Sequence, residues 1–194
     1  MNRIVFVILF ACLTKAGFTQ NIIDWDGIYQ LQLSDFRAKT SQIGDVNMFS
    51  LHSSAQMNFA YNMSSYEFMF TKNFNSKVSC TFTRDAASII APDDETAQHL
   101  LKFAQYEFDL AELYARRFRK KLFEEKGAFS NASFFKPLYD VIHKEFVERY
   151  DNAAKETEIG KNQSELDRLH TEVLREIQEL SEFCKQCKPT KWKK

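Results

Sequence analysis

Acidic and imidazole side chains recur at helical spacing between positions 95 and 112. Glu95, His99 and Glu107 are separated by multiples of four residues, which places them on one face of a predicted helix, and Asp109 and Glu112 follow closely. Carboxylate and imidazole groups can bind a metal ion or activate water. Charged side chains at this spacing also form ordinary ion pairs on helix surfaces. The pattern therefore leaves open a weak metal site of Glu95, His99 and Glu107.

Cysteines and the other histidines offer further candidates. Cys184 and Cys187 have two residues between them, a spacing used by redox pairs and by half of a zinc site, but the sequence holds no second Cys or His pair at metal-ligand spacing. Cys80 brings the number outside the first twenty residues to three, so at least one thiol stays unpaired or bonds to another chain. Buried or disulfide-bonded cysteines are the simpler interpretation. None of the remaining histidines, His52, His143 and His170, pairs visibly with a Ser or Cys nucleophile.

The segment from Leu100 to Arg119 reads LLKFAQYEFDLAELYARRFR. A His-Glu-x-x-His helix binds zinc through two imidazoles four residues apart, and the Glu polarises the zinc-bound water. The corresponding positions here are Phe103, Ala104 and Glu107. Only Glu107 could bind a metal, and one carboxylate does not make a zinc site.

The flanks of this segment resemble a family of secreted bacterial proteins of uncharacterised function, proposed to be zincin-like metallopeptidases. Its pattern is approximately Leu-Leu-x-His-Glu-Gln-x-His-Phe-Asp followed by Ala-Glu-x-Tyr-Ala-Arg. Upstream, the chain is similar to the family's Leu-x-Trp-Ser-Asp-Phe and Ser-Trp segments, with Leu33 and Ile89 replacing the two Trp. The matching residues are Leu31, Ser34, Asp35, Phe36, Ser88, Leu100, Leu101, Gln105, Phe108, Asp109, Ala111, Glu112, Tyr114, Ala115 and Arg116.

A third ligand in this family would come from a Glu-Thr-x-His-Gly-x-Asn segment. The best match here is residues 156–162, which places Ile159 at the His position. The resemblance therefore implies a zincin-like scaffold whose metal site is degenerate at Phe103, Ala104, Glu107 and Ile159. It implies no catalytic residues and no bound zinc. We expect Phe103 to be buried, since an apolar ring in place of an imidazole needs packed neighbours.

Residues 1–20 have the layout of a secretory signal peptide, with Arg3 before an apolar run and small or polar residues after it. A lipid anchor at Cys12 is a minor alternative, because Phe10 is bulky for a lipobox. Arg3 and Lys15 are two of the 26 basic residues; the rest of the chain has 24 against 26 acidic residues, a net charge of about −2. This balance indicates no nucleic-acid partner, and no later segment has the length and apolarity of a membrane span.

The remaining sequence predicts one α+β domain at 21–187 and a basic tail at 188–194. Aromatic and β-branched segments predict an antiparallel sheet in the N-terminal half. Apolar residues spaced three and four positions apart then predict three helices. The apolar stripe of the last helix includes both Cys184 and Cys187. The basic run 116–121 is interpreted as a solvated helix face. The predicted strands are 28–33, 49–63, 67–74 and 78–90, and the predicted helices are 94–125, 132–155 and 163–187.

Together these patterns predict an exported protein, periplasmic or extracellular, whose former active-site cleft has lost the residues for catalysis. The preferred hypothesis is a non-enzymatic pseudoenzyme that binds a peptide or protein at its former cleft or at a sheet edge. The alternative is an active hydrolase or metalloprotein with a rebuilt site around His99, Glu107 and Asp109, to which Glu112 could contribute.

Overall fold

The computed structural model describes residues 20–60, 63–127 and 130–190. The predicted α+β class is confirmed, with small sheets in the N-terminal half followed by long helices. The predicted signal peptide up to residue 19, the Cys12 anchor and tail residues 191–194 lie outside the described residues. In chain order the elements are β1 Ile22–Asp24, β2 Gln42–Ile43, β3 Ser50–His52, β4 Ala55–Phe59, α1 Ser65–Phe70, β5 Val78–Thr83, β6 Ser88–Ala91, α2 Asp94–Glu125, α3 Phe135–Glu156 and α4 Gln163–Glu179.

The strands form two three-stranded sheets rather than the single sheet that the sequence suggests. The first has the order β1-β5-β4 and is antiparallel. The second has the order β2-β6-β3, with β2 parallel and β3 antiparallel to β6. β5 alternates buried and half-buried residues, as expected for a strand with one face on the core. A single turn of 3-10 helix at Arg84–Ala86 carries the chain from β5 to β6.

Two predicted strands are wrong. Residues 28–33 are irregular because Asp26 accepts hydrogen bonds from the backbone N–H groups of Ile28 and Tyr29, which closes a turn. The N–H of Leu31 then donates to the Gln105 side chain on α2 instead of to a neighbouring strand. Residues 67–74 begin within α1, whose first turn is capped by the Ser64 hydroxyl accepting from the N–H of Glu67.

Helix α2 has the predicted bounds and forms the centre of the molecule. Asp93 caps its N-terminus by accepting from the N–H of Thr96, as the Pro92-Asp93 sequence suggests. One side packs against the sheets and the other against α3 and α4. Every residue from Phe103 to Arg116 is buried, so this part of the helix is enclosed on all sides.

Helices α3 and α4 cover the outer side of α2. α4 ends at Glu179, eight residues before the end predicted from the apolar stripe. The two cysteines therefore do not continue a helical stripe: Cys184 and Cys187 follow a 3-10 turn at Ser181–Phe183 and form a disulfide with each other. Cys80 is a buried free thiol. No helix in the described part of the chain combines the length and apolarity that a membrane span requires.

The interpretation of the basic run at the end of α2 as a solvated face is wrong for two of its basic residues. Arg116 and Arg119 are buried. Both donate to the carboxylate of Glu112, at 2.9 and 2.8 Å, which supplies the opposite charge that a buried guanidinium requires.

Candidate functional site

The motif positions of α2 lie in its buried middle. Phe103 and Ala104 are fully buried, which confirms the expectation for Phe103. The Phe103 ring lies 5.8 Å from the Tyr106 ring and 5.7 Å from the Tyr150 ring, measured between centroids. An apolar ring with aromatic neighbours at these distances is stabilised by packing and has no means to coordinate a metal.

The segment after α3 lies against this same part of α2. Glu158, Ile159 and Gly160 all have positive φ, at 49°, 54° and 89°. A Cβ atom at Gly160 would lie 2.4 Å from the carbonyl oxygen of His99 and 3.0 Å from the Cβ of Phe103, so only glycine allows this approach. The segment with Ile159 and the helix with Phe103 are therefore brought together, although more than fifty residues separate them in the sequence.

The left-handed conformation at Ile159 is unusual, since β-branched side chains rarely adopt positive φ. The Thr157 hydroxyl holds the turn: it donates to the Ala153 carbonyl at 2.7 Å and accepts from the Gly160 N–H at 3.1 Å. The strained backbone is thus fixed by hydrogen bonds on one side and by the close contact with α2 on the other.

Glu107 is the one motif position that retains an ionisable group. It is buried, and its Oε2 atom accepts no hydrogen bond from the described residues. Burial raises the pKa of this carboxyl to about 7, while a hydrogen bond from Ser53 opposes the shift. A carboxyl that titrates near neutral pH can donate or accept a proton in catalysis, but it can equally be a protonated group in a packed core.

A cavity of about 340 Å³ opens at the N-terminal end of α2. His99 and Leu100 contribute one wall, Ile159 another, and Phe49, the residue before β3, a third. Four charged residues contribute to its lining. The lining residues are Phe49, Asp93, Glu95, Thr96, His99, Leu100, Glu158, Ile159 and Lys161.

Glu95, His99 and Glu107 do not form a ligand set. A helix rises about 1.5 Å per residue, so Glu95 and Glu107 are about 18 Å apart along α2 and cannot share one ion. Glu95 and His99 line the cavity, whereas Glu107 is buried further along the helix. Within the described ranges, no three His, Cys, Asp or Glu side chains are grouped as metal ligands would be.

Asp109 belongs to a polar cluster that the sequence did not reveal. Its carboxylate accepts from Trp25 Nε1 at 2.7 Å and from Gln105 Nε2 at 3.0 Å, and it lies 2.8 Å from His170 Nε2. The His170 ring packs edge-on against Tyr106. This cluster joins the segment after β1 to α2 and α4, and its hydrogen bonds satisfy Asp109 within the core.

Glu112 is the centre of a second buried network. Arg119 is fully buried and donates to the Glu112 carboxylate. It also donates to the carbonyl oxygen of Val78 at 2.9 Å and to that of Phe183 at 3.0 Å. Arg116 also donates to the Ile177 carbonyl at 2.9 Å. Asp109 and Glu112 are thus occupied by different partners, and the structure does not bring them with His99 into one cleft.

Each polar cluster contains one pair at helical spacing, Gln105 with Asp109 and Glu112 with Arg116, but the sequence does not reveal the other partners because they come from distant parts of the chain. Gly160, which follows Ile159, lies against Phe103, so the two segments quoted from the sequence are neighbours in the structure. Comparison of the chain with models of protein families, with curated proteins and with solved structures gives no match in any of the three.

Proposed function

We propose that this chain is an exported, non-catalytic domain with a zincin-like helical scaffold that binds an extended peptide or protein segment. The proposal depends on one observation. The motif positions that would bind zinc or activate water hold side chains that pack in the core. Phe103 and Ala104 are fully buried in α2, and Gly160, which follows Ile159, packs directly against Phe103. In this proposal the site keeps the place of a former peptidase centre, and the side chains of Phe103, Ala104 and Ile159 can neither hold zinc nor activate water.

The binding site in this proposal is the free edge of β3 together with the neighbouring cavity. β3 pairs only with β6 among the described strands, so its second edge is available for an added strand. Phe49 immediately precedes β3 and is an exposed residue of the cavity wall. An extended peptide could pair with β3 through its backbone and place one side chain in the cavity.

Metal content separates this proposal from its alternative, a hydrolase or metalloprotein with a rebuilt site around His99, Glu107 and Asp109. The raised pKa of Glu107 and its unpartnered oxygen are the observations in favour of that alternative. We expect the purified mature chain to carry no stoichiometric zinc when its metals are measured by mass spectrometry. One tightly bound zinc ion per chain would contradict the proposal.

Restoring the ligands tests the correspondence of the motif positions. The triple variant Phe103→His, Ala104→Glu and Glu107→His should bind zinc weakly, and adding Ile159→His should strengthen binding by at least tenfold, because each further ligand completes the tetrahedral site. Circular dichroism would verify that both variants fold. If the fourth substitution left the zinc affinity of a folded variant unchanged, residues 156–162 would not correspond to the family's third-ligand segment.

Peptide binding is tested by selecting peptides from a random library on the immobilised mature chain. Phe49→Asp should abolish binding of the selected peptides, because it places a charge in the cavity wall. Met48→Asp is the matched control, since Met48 is exposed beside Phe49 but does not line the cavity. A library that yields no peptide, or peptides that bind Phe49→Asp unchanged, would refute the proposed site.

A further inference from the structure

The disulfide between Cys184 and Cys187 closes a loop with only two residues between the cysteines. A disulfide stabilises a fold by restricting the unfolded chain, and this contribution grows with the number of residues in the loop. Both cysteines lie in the segment after α4, so the bond connects no separate helices or strands. The bond therefore adds little to the stability of the fold. Its Cys-x-x-Cys spacing is the one that redox-active pairs use.

The chain up to Cys184 is held in place independently of the disulfide. Phe183 is buried, and its ring lies 6.1 Å from the Phe123 ring, measured between centroids. The carbonyl oxygen of Phe183 accepts a hydrogen bond from the buried Arg119 at 3.0 Å. The N–H of Cys184 donates to the Ser181 carbonyl oxygen within the 3-10 turn, at 3.2 Å. We therefore expect this part of the chain to keep its position when the disulfide is reduced.

The position of Cys187 depends on hydrogen bonds that the disulfide brings together. Its N–H donates to the Cys184 carbonyl oxygen at 3.0 Å, and its own carbonyl oxygen accepts from the side-chain amides of Asn73 and Asn75, at 3.0 and 3.1 Å. The S–S bond holds Cys187 beside Cys184 and thereby keeps it within reach of the two amides. Asn75 also donates to the Glu182 carbonyl oxygen at 3.3 Å, so this buried amide keeps a partner when the turn opens.

Cys184 and Cys187 are both partly exposed to solvent. A thiolate must reach a disulfide sulfur to exchange with it, and the surface position of this turn allows that approach. The ion pair of Lys185 with Asp24 spans 2.9 Å, but the two side chains are 36% and 58% exposed, so it holds the turn only weakly. Cys80, in contrast, lies in the core, where burial raises the pKa of its thiol well above the usual range and keeps it unreactive.

We propose that Cys184 and Cys187 form a thiol–disulfide exchange site for a partner dithiol, and that their reduction opens the turn after α4 while the core stays folded. The two-residue loop, the exposure of both cysteines and the hydrogen bonds at Cys187 support this proposal. It is independent of the proposed peptide site, because the turn contacts the segment before β5 and contributes no residue to the lining of the cavity.

The exchange conserves atoms and electrons. A thiolate of the partner attacks one sulfur of the disulfide, the S–S bond breaks, and the other cysteine leaves as a thiolate that takes a proton from water. The second thiolate of the partner then attacks the mixed disulfide and releases the remaining cysteine. The partner dithiol is thereby oxidised to a disulfide, and Cys184 and Cys187 are reduced to two thiols. Oxidation of the pair by a partner disulfide is the reverse of these steps.

Hydrogen exchange measured by mass spectrometry, with and without excess reduced glutathione, tests the proposal on the purified chain. Two glutathione molecules take the place of the dithiol and are oxidised to one disulfide. We expect iodoacetamide to label Cys184 and Cys187 after reduction and to leave Cys80 unlabelled. The amide of Cys187 should then exchange at least about tenfold faster, because its turn has opened. The amides of α2 should exchange at an unchanged rate, and the circular dichroism spectrum should be that of the oxidised chain.

The double variant Cys184→Ser and Cys187→Ser should show the fast exchange at position 187 both with and without glutathione. Cys80→Ala is the matched control, since it removes a cysteine outside the turn, and it should respond to glutathione like the native chain. A disulfide that resists excess glutathione would be a structural bond and would overturn the proposal. Exchange at position 187 that reduction leaves unchanged would show that the turn does not open, and faster exchange in α2 would show that the bond supports the core. Either result would also overturn it.

Discussion

Glu107 occupies a position where ionisation is costly, and its effect on stability depends on pH. Its pKa is about 7 in the folded chain because of burial, compared with about 4.3 for a glutamate in an unfolded chain. Between these two values the folded state binds more protons than the unfolded state. The stability that Glu107 contributes is therefore complete below about pH 4.3 and is lost as the pH rises through about 7.

The variant Glu107→Gln removes this dependence because an amide of the same shape does not ionise. Above pH 7 we expect it to unfold with a free energy about 2–4 kcal/mol higher than that of the native chain, and near pH 4 the two should be similar. Urea unfolding across this pH range measures the difference. Parallel stability curves for the two chains would contradict the raised pKa.

At the scale of elements, the contact between α2 and the turn after α3 depends on one glycine. Gly160→Ala would place a methyl group 2.4 Å from the His99 carbonyl oxygen, at a residue whose φ of 89° already disfavours a side chain. We expect the free energy of unfolding to fall by about 2–4 kcal/mol. Chemical denaturation monitored by circular dichroism measures this loss.

Gly44→Ala is the control for Gly160→Ala. Gly44 has a φ of 86°, but a Cβ atom there would meet nothing within 4 Å. In this variant the free energy of unfolding should fall only by the cost of placing a side chain at positive φ, about 1 kcal/mol. If both variants lost the same free energy of unfolding, the turn would be able to move away from α2 and would not be held against it.

The elements themselves were predictable to different degrees. The bounds of α2 follow from local signals, namely Pro92 and Asp93 before it and Gly127 after it. The sequence does not predict α1 because its aromatic residues are typical of a strand. The contact of Phe68 with the core, which favours the helix, is not visible in the local sequence. The apolar stripe of α4 continues in the sequence beyond its true end, where the disulfide and the 3-10 turn replace the helix.

The candidate site also has features that the sequence predicts and features that it does not. Phe103 is buried, as expected for an apolar ring, but its contact with Gly160 depends on a turn after α3 whose position no local pattern predicts. The pairing of Asp109 with His170 joins residues 61 positions apart, and the carbonyl partners of Arg119 come from β5 and from the turn after α4. Contacts between a side chain and a distant backbone carbonyl leave no pattern in a sequence, so the basic run was interpreted as solvated.

At the scale of the whole molecule, Arg119 connects three parts of the chain. Its guanidinium joins α2, β5 and the turn after α4 through Glu112, Val78 and Phe183. Because these parts share one core, we expect a single cooperative unfolding transition. Fluorescence of Trp25, in a Trp192→Phe background, reports on the segment after β1, and circular dichroism reports on the helices.

Arg119→Met should therefore destabilise the entire molecule rather than one end of it. Removing the guanidinium leaves buried carbonyl oxygens without donors and Glu112 with Arg116 as its remaining partner, at an expected cost of about 3–5 kcal/mol. Arg175→Met is the matched control: the exposed Arg175 pairs with the exposed Glu179 on α4, so its loss should cost less than about 1 kcal/mol. Both probes should shift together in Arg119→Met. If the unfolding midpoint measured by circular dichroism fell while the midpoint measured by Trp25 fluorescence stayed at its native value, the network would stabilise only the C-terminal part.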